Sequence, residues 1–334
     1  MAKAENTVKK FSQKNLCSVQ HFRSLTCIYG EGQKQSPERA HMKGRFIMKL
    51  KVGVQLFSVM TELANDYLKT LENVAKAGYK YVEYVDVPGN SPEEIGNKVK
   101  ELGLTAIASH VHFDPFTSTH EDMVKIVEDN VKMHSEAIIL PMGIMTTMEE
   151  IKTVAAACNE MAALAKAHGM AFYYHNHCQE FYQVEGKTAY EWLVELTDPE
   201  LVFFEVDTFW ATRGGQKAVE LIKKLGSRAK LIHQKDMGKS ADPINLIEGV
   251  TDLTRENYCE KIFGRTNPTD ICTVGTGIMD IPEIVKTVTE LDYAPYIIVE
   301  LDCCARQTEE EYNTPLSPLA SIKASREYLE SVIG

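Results

Sequence analysis

The chain from residue 49 onward alternates short apolar runs with longer segments in which apolar positions recur at helical spacing. Several of the helical segments end at a glycine, which is typical of a helix C-terminus. Eight strands are predicted, over residues 51–58, 81–87, 104–113, 137–141, 171–177, 201–207, 230–235 and 296–301. Eight helices are predicted between and after them, over residues 63–77, 92–102, 119–133, 148–168, 188–196, 216–225, 281–291 and 318–333.

This alternation predicts an α/β fold, a (β/α)8 TIM barrel formed by residues 48–334 as a single catalytic domain. The segment has the length of a typical barrel, about 250 residues plus insertions. A doubly wound open sheet is the alternative, but it usually has fewer strands and often a glycine-rich phosphate turn after the first one. Here the first strand runs into Phe57-Ser58-Val59-Met60, which contains no glycine. An irregular stretch over residues 238–277 separates the seventh strand from its helix.

Residues 1–47 differ from the rest because they are rich in Lys, Arg, Gln and Ser and show no sustained period. We expect this segment to be disordered. A mitochondrial-type leader would need an amphipathic, Arg-rich helix, which the segment does not show. Our preferred hypothesis is that the native chain starts at Met48 and that the preceding residues are a mis-annotated extension. An N-terminal mass measurement that finds native protein beginning at Met1 would contradict it.

The composition and net charge of the chain exclude several classes of function. The formal net charge of −11 argues against general binding of nucleic acid or an anionic membrane. No apolar run approaches the roughly 20 residues that span a bilayer. The eight cysteines form no CxxC pair, and no secretory signal is evident, so a cytoplasmic location is expected. Exposed helix faces are compatible with a homo-oligomer such as a dimer.

Four segments rich in metal-ligand side chains end four of the predicted strands. The segments carry His175 and His177 at the end of strand five with Glu180 just beyond it, Asp207 at the end of strand six, His233 in strand seven and Glu300 at the end of strand eight. A parallel barrel brings the carboxyl ends of all its strands to one rim, so these side chains are expected to converge.

Asp207, His233 and Glu300 are the predicted metal ligands. Two carboxylates and an imidazole suit a divalent cation such as Mn, Mg, Co or Zn. Each residue alone has an ordinary structural explanation, since a carboxylate after a strand is often a helix cap and a single histidine is often packed in the core. The fourth ligand is open: His175 and His177 share one strand face, and Glu180 follows in a loop able to fold back.

Further candidates lie on the same predicted rim. His110 and His112 share a face at the end of strand three and are candidates for binding substrate hydroxyls, although a polar lining is equally compatible. Lys235 is a candidate for holding a substrate oxyanion or hydroxyl. Trp210 is a candidate apolar wall for a sugar ring, with core packing as the alternative.

The motifs YHNHCQEF (174–181), EVDTFW (205–210), HQKD (233–236), VGTGIMD (274–280) and IIVELD (297–302) resemble the sugar phosphate isomerase/epimerase superfamily of xylose isomerase-like barrels. The resemblance covers residues 49–333. Many members carry a glutamate where this chain has His175. For the His-Asn-His form, the resemblance suggests Glu180 as the replacement ligand. That implies a site of Glu180, Asp207, His233 and Glu300, with Mn favoured, and His177 binding substrate.

In that arrangement His175 is free to move protons, with Glu180 and Glu300 as further catalytic groups. The resemblance implies a sugar isomerase or epimerase that abstracts the proton next to a carbonyl, with the cation stabilising the enediolate charge. A lyase or hydrolase acting on 3-keto-glycosides is the first alternative, and a catalytically silent sugar-binding barrel is the second. A phosphorylated substrate has only Arg213 and Lys235 as candidate partners.

Overall fold

The barrel consists of eight parallel strands in a computed structural model that describes residues 49–85, 89–302 and 316–334. Each strand pairs with its neighbours in sequence, and the first strand pairs with the eighth to close the sheet. The prediction of a TIM barrel is confirmed. The expectations for residues 1–47 lie outside the described residues. The strands are Lys51–Gln55, Tyr81–Val85, Thr105–His110, Ala137–Leu140, Ala171–His175, Val202–Asp207, Ala229–Gln234 and Tyr296–Val299.

Helices surround the sheet largely where the sequence predicts them. The segment predicted as one helix over residues 63–77 is interrupted at Asp66, whose backbone is extended and whose side chain accepts a hydrogen bond from the N–H of Lys69. A short helix directly after strand six was not predicted. The α-helices are Met60–Asn65, Tyr67–Lys76, Pro92–Glu101, His120–Lys132, Met148–Ala167, Ala189–Leu196, Thr208–Arg213, Ala218–Leu225, Tyr258–Lys261, Ile281–Leu291 and Pro318–Ile333.

Four helices begin with a capping box, in which a Ser or Thr side chain accepts the third helical N–H and an acidic side chain accepts the N–H of the cap. The caps are Ser91, Thr119, Thr147 and Thr188. Each such cap stabilises its helix by about 0.5–2 kcal/mol. These local signals explain why the helix starts are predictable from sequence.

The inside of the barrel is apolar at its lower levels and polar at its top. Small and branched side chains, including Ile107, Ala108, Ile139, Leu231 and Ile298, form a separate cluster inside the sheet. Above them, at the carboxyl ends of the strands, lie fully buried charged and amide groups. Since isolated buried charges are costly, they must bind one another or a ligand.

Two irregularities in strand pairing place acidic residues at this polar level. The pairing of strands two and three shifts between Val82 and Glu83, and that of strands six and seven shifts between Phe204 and Glu205. Such a bulge changes the direction of the side chain beside it. Both glutamates are fully buried, and their carboxylates approach the same imidazoles.

The stretch over residues 238–277 forms an excursion above the barrel rim. Its base is a two-stranded ribbon in which Asp236–Met237 pairs with Ile271–Cys272. The excursion has a second apolar cluster that includes Trp210, Leu246 and Ile262.

The Asp236 carboxylate accepts hydrogen bonds from the backbone N–H groups of Gly275, Gly277 and Met279. It thereby organises the turn that leads into the helix Ile281–Leu291. That helix is capped by the Asp280 side chain, which accepts the N–H of Glu283. No helix among the described residues is long and apolar enough to cross a membrane.

Candidate metal centre and substrate cavity

Four side chains at the ends of strands five to eight converge on one point. One ligand atom each from His175, Asp207, His233 and Glu300 lies within 4.8 Å of the corresponding atoms of the other three. Nε2 of His175 is 3.4 Å from Oδ2 of Asp207, and Nδ1 of His233 is 2.8 Å from Oε2 of Glu300. Ligands bonded to one ion at about 2.0–2.2 Å are themselves about 3–3.5 Å apart, so these spacings fit a metal centre.

The hydrogen bonding of the two imidazoles also fits a metal centre. His175 Nδ1 lies 2.8 Å from the carbonyl oxygen of Pro141, which orients the ring. Nε2 of His175 and Nδ1 of His233 are buried and make no aligned hydrogen bond to a described residue. A buried nitrogen without such a partner is costly unless it binds a ligand. Two nitrogen and two carboxylate donors suit Mn, Co or Zn.

Asp207 is held by two neighbours that leave one of its carboxylate oxygens for the centre. Its Oδ1 accepts the N–H of Trp210 at 2.7 Å, as the N-cap of the helix Thr208–Arg213. The Asn176 side chain binds both the N–H and the carbonyl of Asp207. These contacts fix Oδ2 toward His175 and His233.

Lys235 lies beneath the same carboxylates and not on the cavity wall. Its Nζ is 2.5 Å from Asp207 Oδ2 and 2.6 Å from Glu300 Oε2. Burial disfavours the ammonium, but the carboxylates of Asp207, Asp302 and Glu300 outweigh it and raise the pKa of Lys235. A carboxylate oxygen has two lone pairs, so this contact leaves acceptor capacity for a cation. Lys235 therefore offsets part of the negative charge that the site concentrates.

A second buried group lies directly behind the first and shares His233. Nε2 of His233 is 2.9 Å from Glu83 Oε1 and 3.1 Å from Glu205 Oε1. Nε2 of His110 is likewise 2.9 Å from Glu83 and 3.0 Å from Glu205. Gln55 donates a further hydrogen bond of 2.7 Å to Glu83. The two glutamates hold the Nε2–H tautomer of His233, which leaves its Nδ1 as a ligand atom.

The carboxylates and imidazoles of this second group stabilise one another in their charged forms. Burial alone would raise the pKa of Glu83, but His233 and His110 outweigh it and keep that pKa below its usual range. Burial alone would lower the pKa of His110, but Glu83 and Glu205 outweigh it and raise that pKa to about 9. His110 is therefore an imidazolium at neutral pH.

Glu180 is placed differently from the expectation based on sequence. Its carboxylate accepts hydrogen bonds from the Tyr174 hydroxyl at 2.9 Å and from the N–H of His177 at 3.0 Å. Burial raises the pKa of Glu180 to about 7. It shapes the loop after strand five, and it is not among the residues that converge on the centre in the described part of the chain. His175 occupies the position that the resemblance assigned to Glu180.

His177 lines the cavity beside the centre. Its ring lies 4.9 Å from that of His175 and 5.3 Å from that of Trp210, centre to centre. Burial, together with the nearby His175 and Lys235 charges, lowers the pKa of His177 well below its usual value. The imidazole is therefore neutral at pH 7 and can accept a proton.

Two adjoining cavities lie on the side of the centre formed by His175 and Glu300. The inner one, about 130 Å³, is lined by His175 and Glu300 together with His110, His112 and His177. The outer one, about 400 Å³, is lined by Trp210, His177 and further aromatic side chains. The predicted substrate-binding residues His110, His112, His177 and Trp210 all line one or both.

Three buried or cavity-lining carboxylates near the centre, Glu83, Glu205 and Asp302, were given no role in the sequence analysis. Glu83 and Glu205 lie inside strands that read as apolar, and only the bulges beside them signal their role. Asp302 follows Glu300 by two residues and lines both cavities. Burial raises the pKa of Asp302 to about 7.

Arg213, a candidate for binding phosphate, points away from the cavities. It is fully buried, and its Nη2 binds Asp270 Oδ2 at 2.7 Å. The described residues that line the inner and outer cavities include no Arg or Lys. The described lining therefore offers a phosphate group no Lys or Arg partner, and its cationic side chain is the His110 imidazolium of the inner cavity.

We expect Glu83→Gln to weaken metal binding about 10–100-fold, as is typical when the partner of a ligating histidine is altered. The Gln side chain lacks the negative charge with which Glu83 holds the Nε2–H of His233. Its NH₂ group is a hydrogen-bond donor, whereas the Nε2–H of His233 requires an acceptor. Titration calorimetry with Mn²⁺ would measure the effect, with the exposed Glu290→Gln as control. Equal affinities in both variants would contradict the orienting role.

The model of the xylose isomerase-like TIM barrel family matches residues 71–331, and the chain belongs to this family. It is 27% identical over 262 residues to an inosose dehydratase of Clostridium perfringens, covering 71% of this chain and 83% of the relative. A solved sugar phosphate isomerase/epimerase from Parabacteroides distasonis superposes with a TM-score of 0.62 at 25% identity, over 84% of this chain and 98% of that one. The IolI protein, solved with a zinc atom, shares the fold with a TM-score of 0.61 at 16% identity, over 85% and 98% of the two chains.

Proposed function

We propose that this protein is a divalent-metal-dependent lyase that removes a leaving group from the carbon β to the ketone of a keto sugar or keto-inositol. The observation that carries the proposal is the convergence of His175, Asp207, His233 and Glu300 beside a cavity whose lining includes further imidazole and carboxylate groups. The similarity to inosose dehydratases supports elimination over isomerisation. Mn is the preferred cation, with Co, Zn and Mg as alternatives.

A cation bound there would polarise the ketone and stabilise the negative charge that develops on its oxygen. His177 then accepts the proton from the carbon next to the ketone, since its imidazole lines the inner cavity and lies 4.9 Å from that of His175. His110, held as an imidazolium by Glu83 and Glu205, donates hydrogen bonds to substrate oxygens. Asp302 lies at the boundary of the two cavities, where it is placed to hydrogen-bond the departing oxygen.

In this proposal His175 is a metal ligand. The proton transfer that the sequence analysis assigned to His175 is therefore assigned to His177.

We expect His177→Asn to retain bound metal and to lose about 10²–10⁴-fold in the rate of proton abstraction. The measurement is deuterium uptake beside the ketone, followed by NMR in deuterated water, together with metal analysis of the purified variant. The exposed His120→Asn serves as control. Unaltered exchange in His177→Asn would remove it from the mechanism.

Isomerisation or epimerisation begins with the same proton abstraction and is the second candidate. The two outcomes separate when inosose is incubated with Mn-loaded protein in deuterated water. Loss of water with a new C=C bond supports the lyase, whereas an isomer or epimer without loss of water would replace it with the second candidate. A metal-loaded protein that neither exchanges nor transforms inosose or a 3-keto-glucoside would favour the silent sugar-binding barrel.

A further inference from the structure

The outer cavity is larger than the inner one and has a different character. It measures about 400 Å³, within the range of about 300–1,000 Å³ typical of ligand sites. Phe57, Phe209, Trp210 and Phe263 supply aromatic surface to its walls. A keto sugar that fills only the inner cavity of about 130 Å³ would leave this aromatic compartment without contact.

The two cavities adjoin one another. Phe57, His177 and Asp302 contribute to the lining of both, so these three side chains mark the boundary between them. The proposed proton acceptor and the group placed at the departing oxygen therefore lie where the two compartments meet. A leaving group that departs beside Asp302 would therefore face the outer compartment.

The aromatic walls form a rigid, ordered surface. Trp210 is almost fully buried, and its ring lies 5.6 Å from that of Phe263 at 87° and 5.0 Å from that of Phe209 at 80°. Edge-to-face contacts at such distances favour a defined geometry. A flat ring entering beside them gains dispersion and aromatic contacts with little conformational cost.

The excursion over residues 238–277 builds one side of this compartment. It contributes Phe263, Asn267, Pro268 and Ile271 to the wall. The buried Arg213–Asp270 ion pair and the second apolar cluster hold the excursion in place. The wall is therefore a packed part of the fold.

Charge excludes one class of occupant. The described residues that line the compartment include two carboxylates, Asp270 and Asp302, and no Lys or Arg. A phosphate, sulfate or carboxylate would lose its hydration there without gaining a cationic partner. An uncharged ring with hydroxyl or nitro substituents meets no such penalty.

We propose that the outer compartment binds a planar, uncharged ring carried by the leaving group, so that the substrate is a keto sugar joined to an aromatic aglycone. The inference rests on the proposed lyase function. In the step, the C–H bond next to the ketone breaks, a C=C bond forms, and the C–O bond to the aglycone breaks. The proton taken by His177 is balanced by one delivered to the departing aryl oxygen, so no oxidant or reductant is consumed.

Substrate preference tests the inference. The probes are 4-nitrophenyl 3-keto-β-glucoside and methyl 3-keto-β-glucoside, measured with Mn-loaded protein over a range of substrate concentrations. We expect 1/KM to be about 10–100-fold larger for the aryl substrate, because burial of a phenyl ring contributes that factor. Comparing KM limits the influence of the better nitrophenolate leaving group, which acts mainly on kcat.

A direct binding measurement separates the compartment from the chemistry. The chain has two tryptophans, so Trp192→Phe leaves Trp210 as the single fluorophore. Trp192 packs outside both cavities and donates its N–H to the Val184 carbonyl. We expect 4-nitrophenol to quench the fluorescence of Trp210 saturably in this variant. Adding Phe263→Ala should weaken that binding about 10-fold. The same substitution should reduce the ratio of 1/KM for the aryl substrate to 1/KM for the methyl substrate.

The outcomes distinguish the two proposals. Saturable quenching with an aryl preference supports the compartment. Turnover of methyl 3-keto-glucoside or inosose without either effect overturns the aglycone inference and leaves the lyase intact. Saturable quenching without turnover of any keto substrate overturns the lyase and, with it, the role of the compartment in holding a leaving group.

Discussion

Glu300→Gln is expected to abolish metal-dependent turnover while leaving the barrel folded. The amide keeps the shape of the side chain but removes the charge that attracts a cation, and it removes one of the carboxylate partners of Lys235 Nζ. The electrostatic stabilisation supplied by a metal amounts to several kcal/mol. A loss of about 3–4 kcal/mol corresponds to a rate lower by about 10²–10³-fold.

Metal content and turnover should be measured together on this variant. We expect Glu300→Gln and Asp207→Asn to lose bound metal, and the exposed Glu290→Gln to match the unmodified protein in both measurements. Circular dichroism checks that the fold is retained. Full turnover in both Glu300→Gln and Asp207→Asn would refute the proposed centre. Loss of turnover with metal fully retained would assign these carboxylates to proton transfer.

Arg213→Met is expected to have the largest effect on stability, about 3–5 kcal/mol. Removing the guanidinium leaves the buried Asp270 carboxylate without its charge partner, and an uncompensated buried charge is strongly destabilising. For a chain of this size, that loss lowers the midpoint of thermal unfolding by roughly 6–20 °C. The excursion over residues 238–277 should be affected first, because Asp270 is at its base.

A matched exposed ion pair provides the control. Lys224 and Glu191 are 2.6 Å apart, close to the 2.7 Å between Arg213 and Asp270, but they lie at the surface. We expect Lys224→Met to cost under about 1 kcal/mol. The double variant Arg213→Met, Asp270→Leu should be more stable than Arg213→Met alone, because it removes the unpaired charge. Equal costs for Arg213→Met and Lys224→Met, measured by urea unfolding, would contradict the argument.

The secondary structure could be predicted from the sequence because its signals come from neighbouring residues. All eight strands were predicted, and capping residues such as Ser91 and Asp280 mark helix starts through bonds to the next few residues. The two helix boundaries that were not predicted also have physical causes. Asp66 leaves the helical conformation and caps a second helix within the segment predicted as one. Asp207 caps a short helix that the pattern had assigned to a loop.

The placement of the site on one rim also followed from sequence, because parallel strands in a barrel end at the same level. Asp207, His233 and Glu300 do converge in the structure. The ligand from strand five could not be chosen in advance. Glu180 lies only five residues after His175, and the decisive contacts, to Tyr174 and to the Pro141 carbonyl, come from the packing of the loop and of a neighbouring strand.

The sequence by itself determined the fold family, the polar rim and the residue types that meet there, because alternation, capping and strand ends are properties of neighbouring residues. Only the tertiary structure decided which groups bind one another. Glu83 reaches His233 across 150 positions of sequence, and the outer compartment combines Phe57 with Phe263. Such pairings depend on barrel closure and on bulges that redirect side chains, and no local pattern encodes them. The four segments at the strand ends therefore located the candidate centre, while the folded barrel determined which side chains converge there and the shape of the adjoining cavity.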